Sequence, residues 1–383
     1  MNSQQQLAAI YPDFGEIEQS AVFAMLEQWQ LRGIFDRLPD ISYLISVQDP
    51  QQIPAELHMS LPPARIVLCV PEERCAIEPV QTGLNNIIRA GFRVVTDQFK
   101  AQAELYWGDT RHIGVDCANG VPLSCKPWMT RLNNGQHWAK HLSSSHDLEQ
   151  AVQAGFTLFS GDYAFHPPAQ NKAADSSART RLLKLLGLVS RDADSDELEN
   201  LIKQDPTLSF MLFKLVSSAA FSQQVRVSTF AQALNLLGRR QLQRWLQLLL
   251  YARQQGQGGA LNPLMVRAAF RASMMEAVFL RLGAAKDDLD SAFMVGMFSL
   301  LDKLFGSELT EVLRPLHLRE DILQALLYKS GRLGQCLHLV ELADRTNNIA
   351  LHEQSASLQL EADSYCDCVF DAYVWVNHVC RDM

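Results

Sequence analysis

Cys366, Cys368, His378 and Cys380 come nearest to the residue types of a metal site. Their spacing argues against one, because structural zinc sites separate paired cysteines by two to four residues and here only one intervenes. Val369, Tyr373 and Val376 recur at a helical period, so these thiols belong on the buried face of a helix. Asp302-Lys303 could pass for an acid–base pair but fits a capped or exposed helix turn better. His317, His338 and His352 share no ligand spacing. Arg239, Arg240 and Arg244, just after Gly238, form the tightest basic cluster. A solvated helix start is the plain reading of it; an anion or acidic-partner contact is the other.

The elements that must position such residues divide into two kinds. At 383 residues, with 48% hydrophobic and 20% charged residues, two well-packed domains are expected. The net charge of −8 falls almost wholly in the first 170 residues, and neither half has the basic excess of a nucleic-acid binder. No run approaches the roughly 18 apolar residues of a membrane span. The start MNSQQQ lacks a signal peptide's basic and apolar regions, so a cytoplasmic protein with reduced, buried cysteines and no membrane contact is expected.

Residues 166–178 are polar, small and proline-marked, and read as a linker between domains at 1–165 and 179–383. Upstream, candidate strands at 41–47, 65–70, 92–95, 113–115, 137–139 and 157–160 are separated by helix-sized stretches, the pattern of a parallel β/α fold. The first forty residues read as helices. Downstream the pattern is all-α. Asp194 or Ser195 is placed to N-cap a helix over 196–204, Asp205-Pro206 to break it and start the next. Leu242, Trp245, Leu246 and Leu249 mark an amphipathic helix.

Residues 291–306, SAFMVGMFSLLDKLFG, resemble the helix on which HD-superfamily phosphohydrolases carry adjacent His-Asp metal ligands. Ser299 and Leu300 stand at those two positions, and neither suits a divalent metal. Further phrases at 197–208, 215–221 (with Ser217 where the family has Asn), 233–238 and 242–252 resemble the HDOD domain, a non-hydrolytic relative found in bacterial signalling proteins.

The first half resembles the EAL domain, a TIM-barrel phosphodiesterase that cleaves cyclic di-GMP with two metals. Residues 90–99, AGFRVVTDQF, and 154–165, AGFTLFSGDYAF, carry the likeness. Carried over position by position, the ligand Asn falls on Ser46 and the next Glu on Cys69. Of the paired aspartates Asp97 is kept beside Gln98. The catalytic Lys falls on Gly114, two acids on Lys140 and Ser143, and the last Gln on Ser160. In-line hydrolysis with two metals needs several carboxylates, and these positions do not supply them.

The resemblance therefore implies a degenerate, incomplete TIM-like β/α barrel followed by an all-helical HDOD domain. It implies no metal, no cofactor and no enzyme, but a signalling adaptor acting through protein contacts or self-association. A cyclic-dinucleotide receptor is the alternative, a residual phosphodiesterase the remote one. Six strands would leave two sheet edges to be covered by residues 15–38, the HDOD domain or a second subunit.

Limited proteolysis should cut first within 166–178 and leave a fragment of roughly the last 200 residues, since a linker without apolar contacts opens most easily. First cuts inside 196–252 would displace the boundary.

Overall fold

The computed structural model describes residues 1–54, 56–100, 108–132, 134–166, 174–216, 229–252, 262–344 and 348–382. Residues 217–221 of the phrase at 215–221 and residues 167–173 of the expected linker lie outside them. Among the described residues the amino-terminal half is one parallel sheet of seven strands in sequence order. They are β1 (Ala9–Ile10), β2 (Ser42–Ser46), β3 (Ile66–Pro71), β4 (Arg93–Asp97), β5 (His112–Asp116), β6 (Trp138–Leu142) and β7 (Leu158–Gly161). All six expected strands are present within a few residues.

The seventh corrects the reading of the first forty residues as helices. Ala9 pairs with Ser42 and Ile10 with Tyr43, while the helices Gln19–Leu31 and Ile34–Arg37 follow as expected. Two residues are too short to show a period of two. The stretch before β1 deals with the opposite edge: the Phe159 amide donates to the Met1 carbonyl (2.9 Å), and Tyr163 Oη donates to Gln5 Oε1 (3.1 Å). The sheet therefore curls to near closure. Backbone groups at one of the two edges that six strands would have left bare are met from within the module.

Inside the curl, Leu44, Val67, Cys69, Val95 and Trp138 form a small apolar cluster, with Ala9 and Leu158 packed on it. The outward residues of the strands meet the surrounding helices in two larger clusters, one centred on Tyr43, Leu68 and Phe23, the other on Ile113, Ala139 and Phe159. Alternation along each strand thus separates a barrel interior from a helix-facing layer.

From Ala174 onward the described chain is helical. The first of these helices, Ala174–Ser190, begins inside the segment read as linker. Asp194 stands at the cap position of helix Ser195–Lys203, without a side-chain cap bond, and Asp205 Oδ1 accepts from the Leu208 amide (3.1 Å) as helix Pro206–Val216 begins. Helix Phe230–Ala252 kinks at Gly238. Helix Pro263–Arg281 runs through the middle of this half, most of its residues buried. Among the described residues no helix is long and apolar enough to cross a membrane.

The two halves are joined by side chains as well as by the chain. Helix Ala362–Asp382 lies in the helical half, with Cys368, Ala372, Val376 and Cys380 in its core. Its Phe370 faces the other way and joins the barrel's helix layer, against Trp29 (ring centroids 5.1 Å) and Tyr43 (6.4 Å). Arg32 pairs with Asp367 and Arg37 with Asp371 alongside it. The four cysteine and histidine positions first singled out for metal lie along this helix, with Cys368 and Cys380 buried as free thiols.

Phe370→Ala should cost about 3–5 kcal/mol, as truncating a buried aromatic does. It should also loosen the two halves, read as an earlier first transition in urea unfolding followed by tryptophan fluorescence. An unchanged profile would show that this ring does not hold the halves together.

Candidate functional site

The carboxyl ends of the barrel strands gather most of the positions singled out in the sequence. Ser46 lies opposite Cys69 in the β2–β3 register, and Asp116 opposite Lys140 in β5–β6. Lys140 Nζ lies 2.7 Å from Asp97 Oδ1 and 2.9 Å from Oδ2, with both side chains at most 10% exposed. The ammonium also sits 5.1 Å from the centroid of Trp138, which lies two residues earlier on the same strand and hence on the same side.

Gly114 makes room for this pair. A Cβ there would come within 2.5 Å of Asp97 Oδ1, so the missing side chain is what lets the carboxylate lie against β5. Trp138 Nε1 donates to Ser160 Oγ (2.9 Å), and its ring meets Tyr11 edge-on at 4.9 Å. Gln48 Nε2 donates to Ser46 Oγ (2.9 Å). Burial, reinforced by the neighbouring Asp97 charge, pushes the Cys69 thiol well above its ordinary pKa, so it stays protonated; the nearby Lys140 offsets this only in part.

Six of the eight aligned positions thus converge: Ser46, Cys69, Asp97, Gly114, Lys140 and Ser160. The other two do not. Gln98 turns outward in a left-handed conformation (φ 51°) and is exposed. Ser143 is exposed and donates to Asp147 Oδ2 (2.7 Å) at the start of helix Ser145–Ala154. Trp138 and Tyr11 were missed by sequence reasoning, as were two carboxylates. Glu72 is buried just after β3, where it accepts the Lys100 amide (2.8 Å). Asp116 ends β5 and contacts His141 Nδ1 (3.1 Å). For Asp116, burial opposes ionisation, but bonds from the Ala118 amide and His141 outweigh it and hold the carboxyl below its usual range.

The six aligned positions alone do not supply the ligands of a pair of divalent metals. Two hydroxyls, a protonated thiol and one carboxylate already engaged by an ammonium are weak or occupied ligands for hard cations. Among the described residues no three His, Cys, Asp or Glu side chains gather as a metal site would require.

The helical half repeats the arrangement with different residues. Ser299 Oγ donates to the Gly296 carbonyl (2.7 Å) and accepts from Arg271 Nη1 (3.1 Å), while Leu300 is buried in the core. Arg271 is itself buried, with Nε 2.7 Å from Asp344 Oδ2 and Nη1 3.4 Å from Glu341 Oε1. Phe165, at the end of the barrel half, lies under the guanidinium groups of Arg267 (5.5 Å) and Arg271 (5.7 Å). A guanidinium beside Ser299 does not fit a metal there either.

The arginine cluster is largely neutralised within the fold. Arg240 Nε lies 2.6 Å from Asp290 Oδ1, and Arg244 pairs with Glu276 and with Asp290 (3.1 Å) while stacking 4.3 Å from the Phe293 ring centroid. Arg239 Nη2 donates to the Ala193 carbonyl (2.6 Å). These residues tie helices together, which leaves little charge for an anion.

Residues 176–314 match the HDOD domain family. The helical half carries an HDOD domain. Ahead of it stands the seven-stranded β/α module, the order of the two fold types expected from the sequence. Over 382 residues, 97% of this chain and 87% of the relative, the chain is 22% identical to the cyclic di-GMP phosphodiesterase CdgJ of Vibrio cholerae. Over 244 residues, 63% of this chain and 58% of the relative, it is 27% identical to the uncharacterized protein YuxH of Bacillus subtilis. The EAL domain of Xanthomonas citri FimX in complex with c-diGMP is a structural neighbour at 13% identity and TM-score 0.33, covering 42% of this chain and 82% of that one.

One expectation is corrected by these findings. The sequence reading excluded an enzyme, yet a relative aligned over nearly the whole chain is named as one. Loss of carboxylates at aligned positions was too narrow a criterion, since Glu72 and Asp116 stand at the same end of the barrel as Asp97 and were not counted.

Lys140→Met should destabilise the barrel by about 3–5 kcal/mol, because it strands the Asp97 carboxylate without its counter-charge. Adding Asp97→Asn should recover most of that loss in urea titrations. Additive losses in the double variant would mean that the pair is not coupled.

Proposed function

We propose that this chain is a cytoplasmic regulator in cyclic di-GMP signalling whose output is a contact with other signalling proteins or with a second copy of itself. The alignment with a cyclic di-GMP phosphodiesterase over 97% of the chain supports the signalling context. The observation that carries the rest is the Lys140–Asp97 pair, which fills the polar end of the barrel with its own cation and anion. Phe165, held by Arg267 and Arg271, offers a physical route between that barrel and the HDOD core.

Phosphodiesterase turnover is a second reading, favoured by the relative's name and by the carboxylates of Glu72 and Asp116 near Asp97. A site of this kind would have to draw on those groups rather than on the aligned positions. Binding by Tyr11, Trp138 and Lys140, two aromatics and a cation gathered at one end of the barrel, is the form that a receptor role would take.

Three measurements separate these readings, two on the purified protein and one in the cell. They are titration calorimetry with cyclic di-GMP, product analysis with magnesium and with manganese, and crosslinking with mass spectrometry from the native cell. The regulator reading expects a stoichiometric protein complex that forms equally well in the charge-balanced Asp97→Asn, Lys140→Met double variant. Metal-dependent turnover abolished in that variant while it stays folded by circular dichroism, with no such complex, would overturn it in favour of the second reading.

A further inference from the structure

Residues 1–13 lie across the seam between β7 and β2. At one end Met1 exchanges two backbone bonds with Phe159 on β7 (2.8 and 2.9 Å), and Tyr163 Oη donates to Gln5 Oε1 (3.1 Å). At the other, Ala9 and Ile10 pair with β2, and the Ser42 amide donates to the Ala8 carbonyl (3.2 Å). Phe14, against Trp29 (ring centroids 5.7 Å), then fixes the chain to the helix layer. The segment before that anchor is lightly fastened. β1 has two residues where the other six strands have four to six, and within 1–13 Gln5 and Ile10 alone are buried. Short ladders with few buried side chains open well below the cost of global unfolding.

Tyr11 is what this segment carries over the barrel. Its ring meets Trp138 edge-on at 4.9 Å, and its hydroxyl lies against Ser46. Tyr11 is 44% exposed while Trp138 is only 4% exposed, so the tyrosine stands between the indole and solvent. Trp138 in turn packs on the Lys140 ammonium and donates to Ser160. Ser46 and Trp138, and through Trp138 the Lys140–Asp97 pair, thus share one aromatic cover, borne on the shortest strand of the sheet.

We infer that residues 1–13 are a strap and Tyr11 its lid. Held down, the strap shuts the polar end of the barrel over Ser46 and Trp138; lifted about Phe14, it opens that end while the strands behind it stay folded. The inference stands apart from the regulator reading, since it concerns access to this end of the barrel and not what the chain contacts elsewhere.

Two measurements on the full-length chain test it. The Ser42 and Phe159 amides donate to the strap, so residue-resolved hydrogen exchange by NMR reports its opening. In the wild type both should exchange about a hundredfold faster than the amides of β3 and β4, and in Tyr11→Ala about tenfold faster again, with β3 and β4 unchanged. Labelling with 5-fluorotryptophan follows the lid itself, the Trp138 resonance being the one lost in Trp138→Phe. A soluble gadolinium chelate should broaden that resonance severalfold more in Tyr11→Ala than in the wild type, whereas Tyr11→Phe, which keeps the ring, should stay protected. Circular dichroism establishes that the variants are folded, and the wild-type exchange rates decide the matter on their own if Tyr11→Ala does not fold. Exchange of Ser42 and Phe159 at the rate of β3 and β4 would overturn the inference, because the segment would then open only with the barrel. So would a Trp138 resonance equally protected in folded Tyr11→Ala. Neither result touches the cellular complex on which the regulator reading is tested.

Discussion

A buried charge must find its opposite within the protein, and this requirement shapes both halves of the chain. Lys140 lies inside the barrel between Asp97 and the face of Trp138. Arg271 lies inside the HDOD core among Asp344, Glu341 and Ser299, under Phe165. Removing either partner of such a pair leaves a charge in a medium that solvates it poorly. Neighbouring residues are correspondingly constrained: Gly114 is bare so that Asp97 can lie flat, and Ser299 accepts where a bulkier residue would crowd the guanidinium. A resident side-chain cation in each module also sets the electrostatics that any incoming ligand meets.

The same logic binds the modules to each other. Phe165 belongs to the barrel half but is held by cations of the helical half, and Phe370 belongs to the helical half but completes the barrel's helix layer. Each contact puts a large apolar ring across the boundary with charges beside it, Arg267 and Arg271 in one case, the Arg32–Asp367 and Arg37–Asp371 pairs in the other. Division at residues 166–178 follows composition. Packing does not respect it.

What could be read from the sequence follows from the range of the signal. Six strands were legible because apolar runs such as Arg65-Ile66-Val67-Leu68-Cys69-Val70 are local, and the convergence of Ser46, Cys69, Asp97, Gly114, Lys140 and Ser160 followed from their places on strands. Trp138 could have been added, being two residues from Lys140 on the same strand. The strand Ala9–Ile10 was too short to announce itself. Arg240 and Arg244 read as a free cluster because their acids, Glu276 and Asp290, lie dozens of residues away and no local pattern links them. Gln98 and Ser143 were placed by alignment, yet strand ends turn them outward.

The position of Phe370 also has a meaning in time. Trp29 and Tyr43 are made early in synthesis, and the ring that covers them is made more than three hundred residues later. At about 5–20 residues per second, that interval is on the order of tens of seconds. Throughout it the nascent barrel presents an aromatic face to the cell, bounded by Arg32 and Arg37 without their aspartates. Chains that have not yet reached Phe370 therefore leave Trp29 and Tyr43 without the ring that covers them in the finished molecule.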